Sequence, residues 1–181
     1  MKKILVVVDM QYDFVDGSLG TEESKNIVQK VIDKIQNFDG FIIYTRDTHD
    51  EDYLQTMEGK KLPVIHCVEG THGWEIVTEV LNAGSFKRPP KNLAWIYDKH
   101  TFGCIDLAKD IKKLVFCAEA EVEIELIGLC TDICVVSNAL LLRAYMPDAV
   151  IKVDSMCCAG VTPESHKSAL ETMKMCQIEV I

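Results

Sequence analysis

The amino-acid sequence predicts an α/β fold, a three-layer α/β/α sandwich around a mostly parallel, doubly wound sheet of the Rossmann-like kind. Short apolar or β-branched runs alternate along the chain with segments of helical period, which is the order that βαβ units require. The runs are almost continuously apolar, as is typical of strands that are buried on both faces. Because crossovers between parallel strands are right-handed, we expect helices on both faces of the sheet.

Charged or glycine-containing turns bound the runs that are the principal strand candidates. These runs cover residues 4–8, 41–45, 121–129 and 149–153. Two shorter candidates cover residues 93–97 and 178–181. In a fold of this class ligands bind at the carboxyl ends of the strands, so the residues that follow each run are the first candidates for function.

The segments of helical period lie between these strands, and their boundary residues support the assignment. They cover residues 24–37, 74–81, 105–116, 132–146 and 163–176. Thr162 before Pro163 is an N-cap followed by a first-turn proline, Thr131 is the expected N-cap of the fourth helix, and Gly40 is expected to close the first. Residues 47–71 form an irregular stretch whose length is typical of functional loops.

Composition and charge restrict the class of protein. With 181 residues, 48% of them hydrophobic, the chain can bury one core, so we expect a single domain over residues 1–181. The net charge of -9 disfavours nucleic acid and anionic membranes as partners and favours a small molecule. No apolar stretch reaches the ~18–20 residues of a membrane helix, and no export signal is apparent, so we expect a cytoplasmic protein. Its eight cysteines are expected to be mostly buried free thiols.

Residues at the predicted strand ends could carry catalysis. Asp9 directly follows the first strand, Lys99 comes two residues after the strand candidate over residues 93–97, and Cys134 falls in the first turn of the fourth helix. The helix dipole and a nearby lysine would both lower the pKa of the Cys134 thiol. Taken singly, Asp9 could equally cap a turn, Lys99 could be a surface lysine, and Cys134 could be a structural thiol.

The long loop contains residues of the kind that bind metal ions. Asp47 and His49 are two residues apart, so that in an extended segment both side chains lie on one side, and Glu58 and His66 follow. Mixed carboxylate and imidazole ligands suit a divalent metal, zinc foremost, with manganese or iron as alternatives. The alternative interpretation is an acidic loop whose charges are merely solvated.

Several ordered segments resemble the isochorismatase-like cysteine hydrolase superfamily and, within it, enzymes of the nicotinamidase/pyrazinamidase type. The segments are VVDMQYDF, TRDTHDEDY, LPVIHCVEGTHGW, YDKHTFG and GLCTDICV. The resemblance implies a catalytic triad of Asp9, Lys99 and Cys134, and a metal site made of the four loop residues, in which Glu58 would be the variable fourth ligand. It also implies a small-molecule amide as substrate and a homo-oligomer.

The same resemblance implies the form of the site and its reaction. A cis peptide between Leu129 and Cys130 would direct the amides of Cys130 and Cys134 at the substrate oxygen, and Phe14 and Phe102 would line the pocket. The implied activity is that of a cysteine-dependent amidohydrolase, a nicotinamidase acting through a thioester. The alternatives are a hydrolase of another small amide or ureide, and a non-catalytic metal-binding or thiol-sensing member of the fold. One departure is Pro63, which replaces a tryptophan common in the family.

Overall fold

The structure, a computed structural model, describes residues 2–91, 93–118 and 121–181. It confirms the predicted α/β class. The described residues contain one six-stranded sheet with the order β3-β2-β1-β4-β5-β6, and every pairing in it is parallel. The strands are β1 (Lys2–Val8), β2 (Phe41–Asp47), β3 (Ile96–Lys99), β4 (Val122–Leu129), β5 (Val150–Ala159) and β6 (Glu179–Val180).

Helices connect the strands in the alternation that the sequence predicts. They are α1 (Tyr12–Val15), α2 (Glu22–Asn37), α3 (Met57–Lys61), α4 (Thr78–Ala83), α5 (Ile105–Ala118), α6 (Val136–Tyr145) and α7 (Pro163–Met175). A single turn of 3-10 helix spans Tyr53–Gln55, and a turn of π-helix, Thr131–Val135, leads into α6. Within the described part of the chain, no helix has the length and apolar character needed to cross a membrane.

Two strands differ from the prediction in ways that matter for the site. β2 continues beyond the predicted end at residue 45 and finishes at Asp47, which pairs with Lys99. β3 begins at Ile96, later than predicted, because the N-H of Leu93 bonds to the carbonyl of Pro90 in a preceding turn. Asp47 and Lys99 therefore lie side by side at the ends of neighbouring strands.

Helix boundaries also differ locally. The predicted helix over 74–81 begins only at Thr78, because Ile76 forms an isolated antiparallel bridge with Gln11. The predicted helix over 132–146 is a π-helical turn followed by α6. Gly40 does not end α2, which stops at Asn37; a Cβ at Gly40 would come within 2.4 Å of the Lys3 carbonyl oxygen, so glycine is needed for close packing.

The core has two parts, one on each face of the sheet, and β1 contributes to both. Ile4, Val6 and Val8 face a cluster that includes residues of α5, α6 and α7, whereas Leu5 and Val7 face a cluster with α2 and α4. All five side chains are fully buried, and full burial of such a side chain stabilises the fold by ~1.5–3 kcal/mol. This explains the unbroken apolar sequence of the strand.

The cysteines that the structure describes are free thiols, as expected. They are Cys67, Cys104, Cys130, Cys134, Cys157, Cys158 and Cys176. The side chain of Cys117 lies outside the described residues.

Gly128 provides a test of the packing between β1 and β4. Its φ is +115°, and a Cβ there would lie 2.1 Å from the carbonyl oxygen of Val8. We expect Gly128→Ala to lower the free energy of unfolding by more than ~3 kcal/mol, through backbone strain and overpacking together. The matched control is Gly70→Ala, with φ of +79° but open space around the new Cβ, which should cost only ~1–2 kcal/mol. The free energies of unfolding are measured by urea denaturation, and equal losses in the two variants would contradict this account.

Candidate active site

The three residues expected to form a triad meet at the carboxyl edge of the sheet. Asp9 follows β1 with a φ of +47°, Lys99 is the last residue of β3, and Cys134 lies in the π-helical turn after β4. The Lys99 ammonium lies 2.7 Å from Asp9 Oδ2 and 3.4 Å from Cys134 Sγ. It also donates to Asp47 Oδ1 at 3.1 Å. One buried cation thus connects the thiol with two carboxylates.

The charge states of this group follow from its burial and its pairing. Burial lowers the pKa of Lys99, but Asp9, Cys134 and Asp47 more than offset it and raise the pKa well above its usual value. Lys99 therefore remains an ammonium. Burial raises the pKa of Asp9 against the opposing effect of Lys99, while the hydroxyl of Thr45 donates to Asp9 Oδ1 at 2.6 Å. Asp9 is consequently a stronger base than an exposed carboxylate.

The Cys134 thiol differs from the sequence-based expectation of a lowered pKa. Burial raises its pKa well above the usual value, Asp9 raises it further, and Lys99 only partly opposes them. The expected N-cap is also wrong: Cys130 occupies that position, and the Thr131 hydroxyl is hydrogen-bonded to His166. Desolvation and the carboxylates of Asp9 and Asp47 thus outweigh Lys99 in setting the pKa of this thiol. The sulfur is therefore a thiol, and it could act as a nucleophile only by losing its proton.

The four predicted metal ligands come together beside this group. One ligand atom from each of Asp47, His49, Glu58 and His66 lies within 4.8 Å of the others. The Nε2 atom of His49 is 3.0 Å from Asp47 Oδ2 and 3.9 Å from Glu58 Oε1. The Nε2 atom of His66 is 3.7 Å and 4.0 Å from the same two oxygens. Glu58 is supplied by α3, a short helix inside the segment that the sequence predicted to be irregular.

The donor set fits a divalent cation. Buried His49 Nε2 has no hydrogen-bond partner despite its nearness to Asp47, as expected for a nitrogen that faces an ion. His66 Nδ1 lies 2.8 Å from the Val64 carbonyl oxygen, which fixes Nδ1 as the protonated nitrogen and leaves Nε2 to coordinate. Ligands ~2.1 Å from a tetrahedral ion lie about 3.4 Å apart, and the four histidine–carboxylate separations of 3.0, 3.7, 3.9 and 4.0 Å lie on either side of this value. The site supports a divalent metal.

Several supporting residues were not identified from the sequence. The Gln11 side chain accepts from the N-H of Asp47 at 2.7 Å and donates to its carbonyl at 2.8 Å, which fixes the backbone of that ligand. The ring of Tyr53 packs against His49 and His66 at centroid distances of 4.5 and 4.9 Å. The polarity of Gln11 directly after a strand was a usable signal. Tyr53 had none, because its role depends on contacts across the loop.

A cavity of about 650 Å³ opens onto both the thiol and the metal-binding group. Its walls include Cys134, Cys130 and the predicted aromatic residues Phe14 and Phe102. Phe14 packs edge-on against His66 with 5.5 Å between the ring centroids, whereas Phe102 is 44% exposed. The peptide between Leu129 and Cys130 is cis, as predicted. A small molecule in this cavity can contact the thiol and the ligand group together.

Comparisons with known proteins find relatives over nearly the whole chain. The family model described as Isochorismatase domain matches residues 3–181. The nicotinamidase of Schizosaccharomyces pombe is 27% identical, with 98% of this chain and 91% of the relative covered. The crystal structure of nicotinamidase/pyrazinamidase PncA from Bacillus subtilis is 26% identical with a TM-score of 0.81, and 99% of each chain is covered. The pyrazinamidase of Pyrococcus horikoshii, in complex with zinc, is 27% identical with a TM-score of 0.76, covering 100% of this chain and 99% of the other.

The raised pKa of Cys134 can be tested by ultraviolet thiolate absorbance as a function of pH. We expect no absorbance that depends on Cys134 in the folded protein near pH 7, with Cys134→Ala as the reference. Since the folded thiol has the higher pKa, the unfolded chain ionises first, so this group's contribution to stability is lost as pH rises above about 8.5. A thiolate band near pH 7 that disappears in the variant would contradict the assignment.

The metal-binding group can be tested by titration calorimetry with zinc. We expect His66→Ala to weaken zinc binding by more than ~100-fold, and Tyr53→Leu to weaken it by ~10–100-fold through loss of support for the histidine rings. His72→Ala is the matched control, because His72 is exposed and lies outside the group. Unchanged affinity in His66→Ala would exclude this group as the site.

Proposed function

This chain belongs to the isochorismatase domain family, and we propose that it is a cysteine-dependent amidohydrolase, specifically a nicotinamidase that converts nicotinamide to nicotinate and ammonia. The observation that carries the proposal is the position of Lys99, whose ammonium contacts the Cys134 thiol, Asp9 and Asp47. Through Asp47, the same cation borders the metal-binding group. The nucleophile and the anchoring site therefore face one cavity, and the buried base lies behind them, against Lys99.

In the first half of the proposed reaction, Asp9 takes the thiol proton as Cys134 Sγ attacks the carboxamide carbon. The raised pKa of Asp9 makes it a competent acceptor, and Lys99 stabilises the anionic groups as the proton moves. The backbone amides of Cys130 and Cys134 are proposed to stabilise the oxyanion. The proton on Asp9 then passes to the departing nitrogen, ammonia leaves, and a thioester to Cys134 remains.

In the second half, water replaces ammonia. Asp9 accepts a proton from the water molecule as it attacks the thioester carbon, and this proton restores the Cys134 thiol when the acid is released. The acid gives up its remaining proton to solvent, where ammonia can take it up, and becomes nicotinate. Burial favours this cycle because the thiol is the more stable resting form, so the leaving sulfur is readily protonated. Lys99 keeps its charge, since the carboxylates of Asp9 and Asp47 hold its pKa high against the effect of burial.

We propose zinc as the metal. Two imidazoles and two carboxylates suit zinc, and the related Pyrococcus horikoshii pyrazinamidase forms a complex with zinc. When bound, the ion would hold the ring nitrogen of the substrate, which contributes orientation of the carboxamide. Phe14 packs edge-on against His66 and lines the same cavity, so its ring can lie along the face of a bound pyridine.

The proposal is tested by ammonia release from nicotinamide with zinc-loaded protein. We expect release that falls by about 1,000-fold or more in Cys134→Ala and Asp9→Asn, because members of a catalytic unit act together. The matched control is Cys176→Ala, a half-buried thiol outside the cavity, which should retain full activity.

A second substrate distinguishes the anchoring of the ring nitrogen from the hydrolysis of the carboxamide. Nicotinamide methylated on its ring nitrogen keeps the carboxamide but has no lone pair for a metal, so we expect a large loss of kcat/KM with the same enzyme. Equal hydrolysis of both amides would contradict ring-nitrogen anchoring. No release from folded, zinc-loaded protein would overturn nicotinamide as the substrate and favour another small amide or ureide.

A further inference from the structure

The turn that carries the nucleophile is short and depends on side chains outside it. Thr131–Val135 is a single π-helical turn, closed by the Cys130 carbonyl, which accepts from the N-H groups of Ile133 and Val135 at 3.1 and 3.0 Å. The thiol within it must remain close to Lys99 at 3.4 Å. Small displacements of a reacting atom lower catalytic rates steeply, so whatever holds this turn bears on catalysis.

His166 of α7 holds the first residue of the turn. The Thr131 hydroxyl lies 2.8 Å from His166 Nδ1, and Thr131 is fully buried. Burial lowers the pKa of His166, with Asp132 partly opposing, so the imidazole is neutral. Nδ1 can then accept the hydrogen bond that the Thr131 hydroxyl donates. Thr131 directly follows Cys130, whose carbonyl closes the turn and whose side chain lines the cavity.

The neighbouring backbone positions His166 for this contact. A Cβ on Gly160 would come within 2.9 Å of His166 Cβ, so α7 packs directly against the backbone at Gly160. The N-H of Val161 donates to both carboxylate oxygens of Asp132 at 3.2 Å. Gly160 and Val161 also line the cavity. These contacts connect the start of α7 to one wall of the cavity and to the turn that carries Cys134.

We propose that His166 is a positioning residue: its hydrogen bond with Thr131 keeps the Cys134 turn in the geometry that catalysis requires. The inference rests on the proposed amidohydrolase function and deepens it. His166 lies outside the metal-binding group and does not line the cavity. Its loss should therefore act on the chemical step through the turn and should leave substrate binding nearly unchanged.

The test compares variants that keep or remove the acceptor. His166→Leu and Thr131→Val remove the hydrogen bond, and each should lower kcat for nicotinamide by about tenfold to a hundredfold with KM changed less than threefold. His166→Asn places an amide oxygen near the position of Nδ1 and should restore kcat to within about threefold of the parent protein. In the double variant that combines His166→Leu with Thr131→Val, the second change should add little, because both changes remove the same interaction.

Ser165→Ala is the matched structural control. It removes the capping box at the start of the same helix, in which Ser165 and Thr162 bond reciprocally, without touching Thr131. It should lower the melting temperature while leaving kcat within about twofold, since the turn keeps its contact. A fall in kcat as large as that of His166→Leu would show that loosening the helix is sufficient, which would overturn the positioning role.

A readout that needs no substrate separates this inference from the proposed function. The rate at which iodoacetamide alkylates Cys134, followed by mass spectrometry, should fall in His166→Leu and Thr131→Val and recover in His166→Asn. That pattern without nicotinamide hydrolysis would support the role of His166 and overturn only the substrate. Hydrolysis and alkylation unchanged in both variants would overturn the role of His166 and leave the amidase intact.

Discussion

The arrangement of the site depends on one buried cation, the ammonium of Lys99. A charge removed from water is costly unless it is paired, and here Asp9 and Asp47 supply the pairing at 2.7 and 3.1 Å. Asp9 follows β1, Asp47 ends β2, and Lys99 ends β3, so the cation joins the ends of neighbouring parallel strands. The thiol from beyond β4 completes the group. The proposed catalytic residues and the metal-binding group therefore share one electrostatic support.

Asp47 is the residue at which these two groups meet. Its Oδ1 faces the Lys99 ammonium, which lowers the pKa of the carboxyl against the effect of burial, and its Oδ2 faces His49. The backbone of Asp47 is clamped on both sides by the Gln11 side chain. A carboxylate that is fixed in place and ionised near neutral pH can contact a cation on each side.

Burial has a second consequence, which concerns protons. The same desolvation that keeps Cys134 as a thiol makes Asp9 more basic than an exposed carboxylate, so in the proposed reaction Asp9 is better able to accept the thiol proton during attack. The high proton affinity of the sulfur in turn favours its reprotonation on release, as a cycle of attack and release requires. A permanently ionised cysteine would be a stronger nucleophile at rest but a poorer partner for a returning proton.

The sequence by itself determined the α/β class, the alternation of strands and helices, and the residues that occupy the strand ends, because periodicity and apolar runs are local properties. It also placed Asp9, Lys99, Cys134 and the four metal-ligand candidates by motif, and the structure brings them together. It placed the start of β3 too early, because a hydrogen-bonded turn ending at Leu93 precedes the strand. Only the tertiary structure decided which groups touch Lys99, that Gln11 clamps Asp47, that His166 meets Thr131, and that the pKa of Cys134 rises. Those features depend on contacts between residues distant in the chain and on desolvation, and both arise only when the chain has folded.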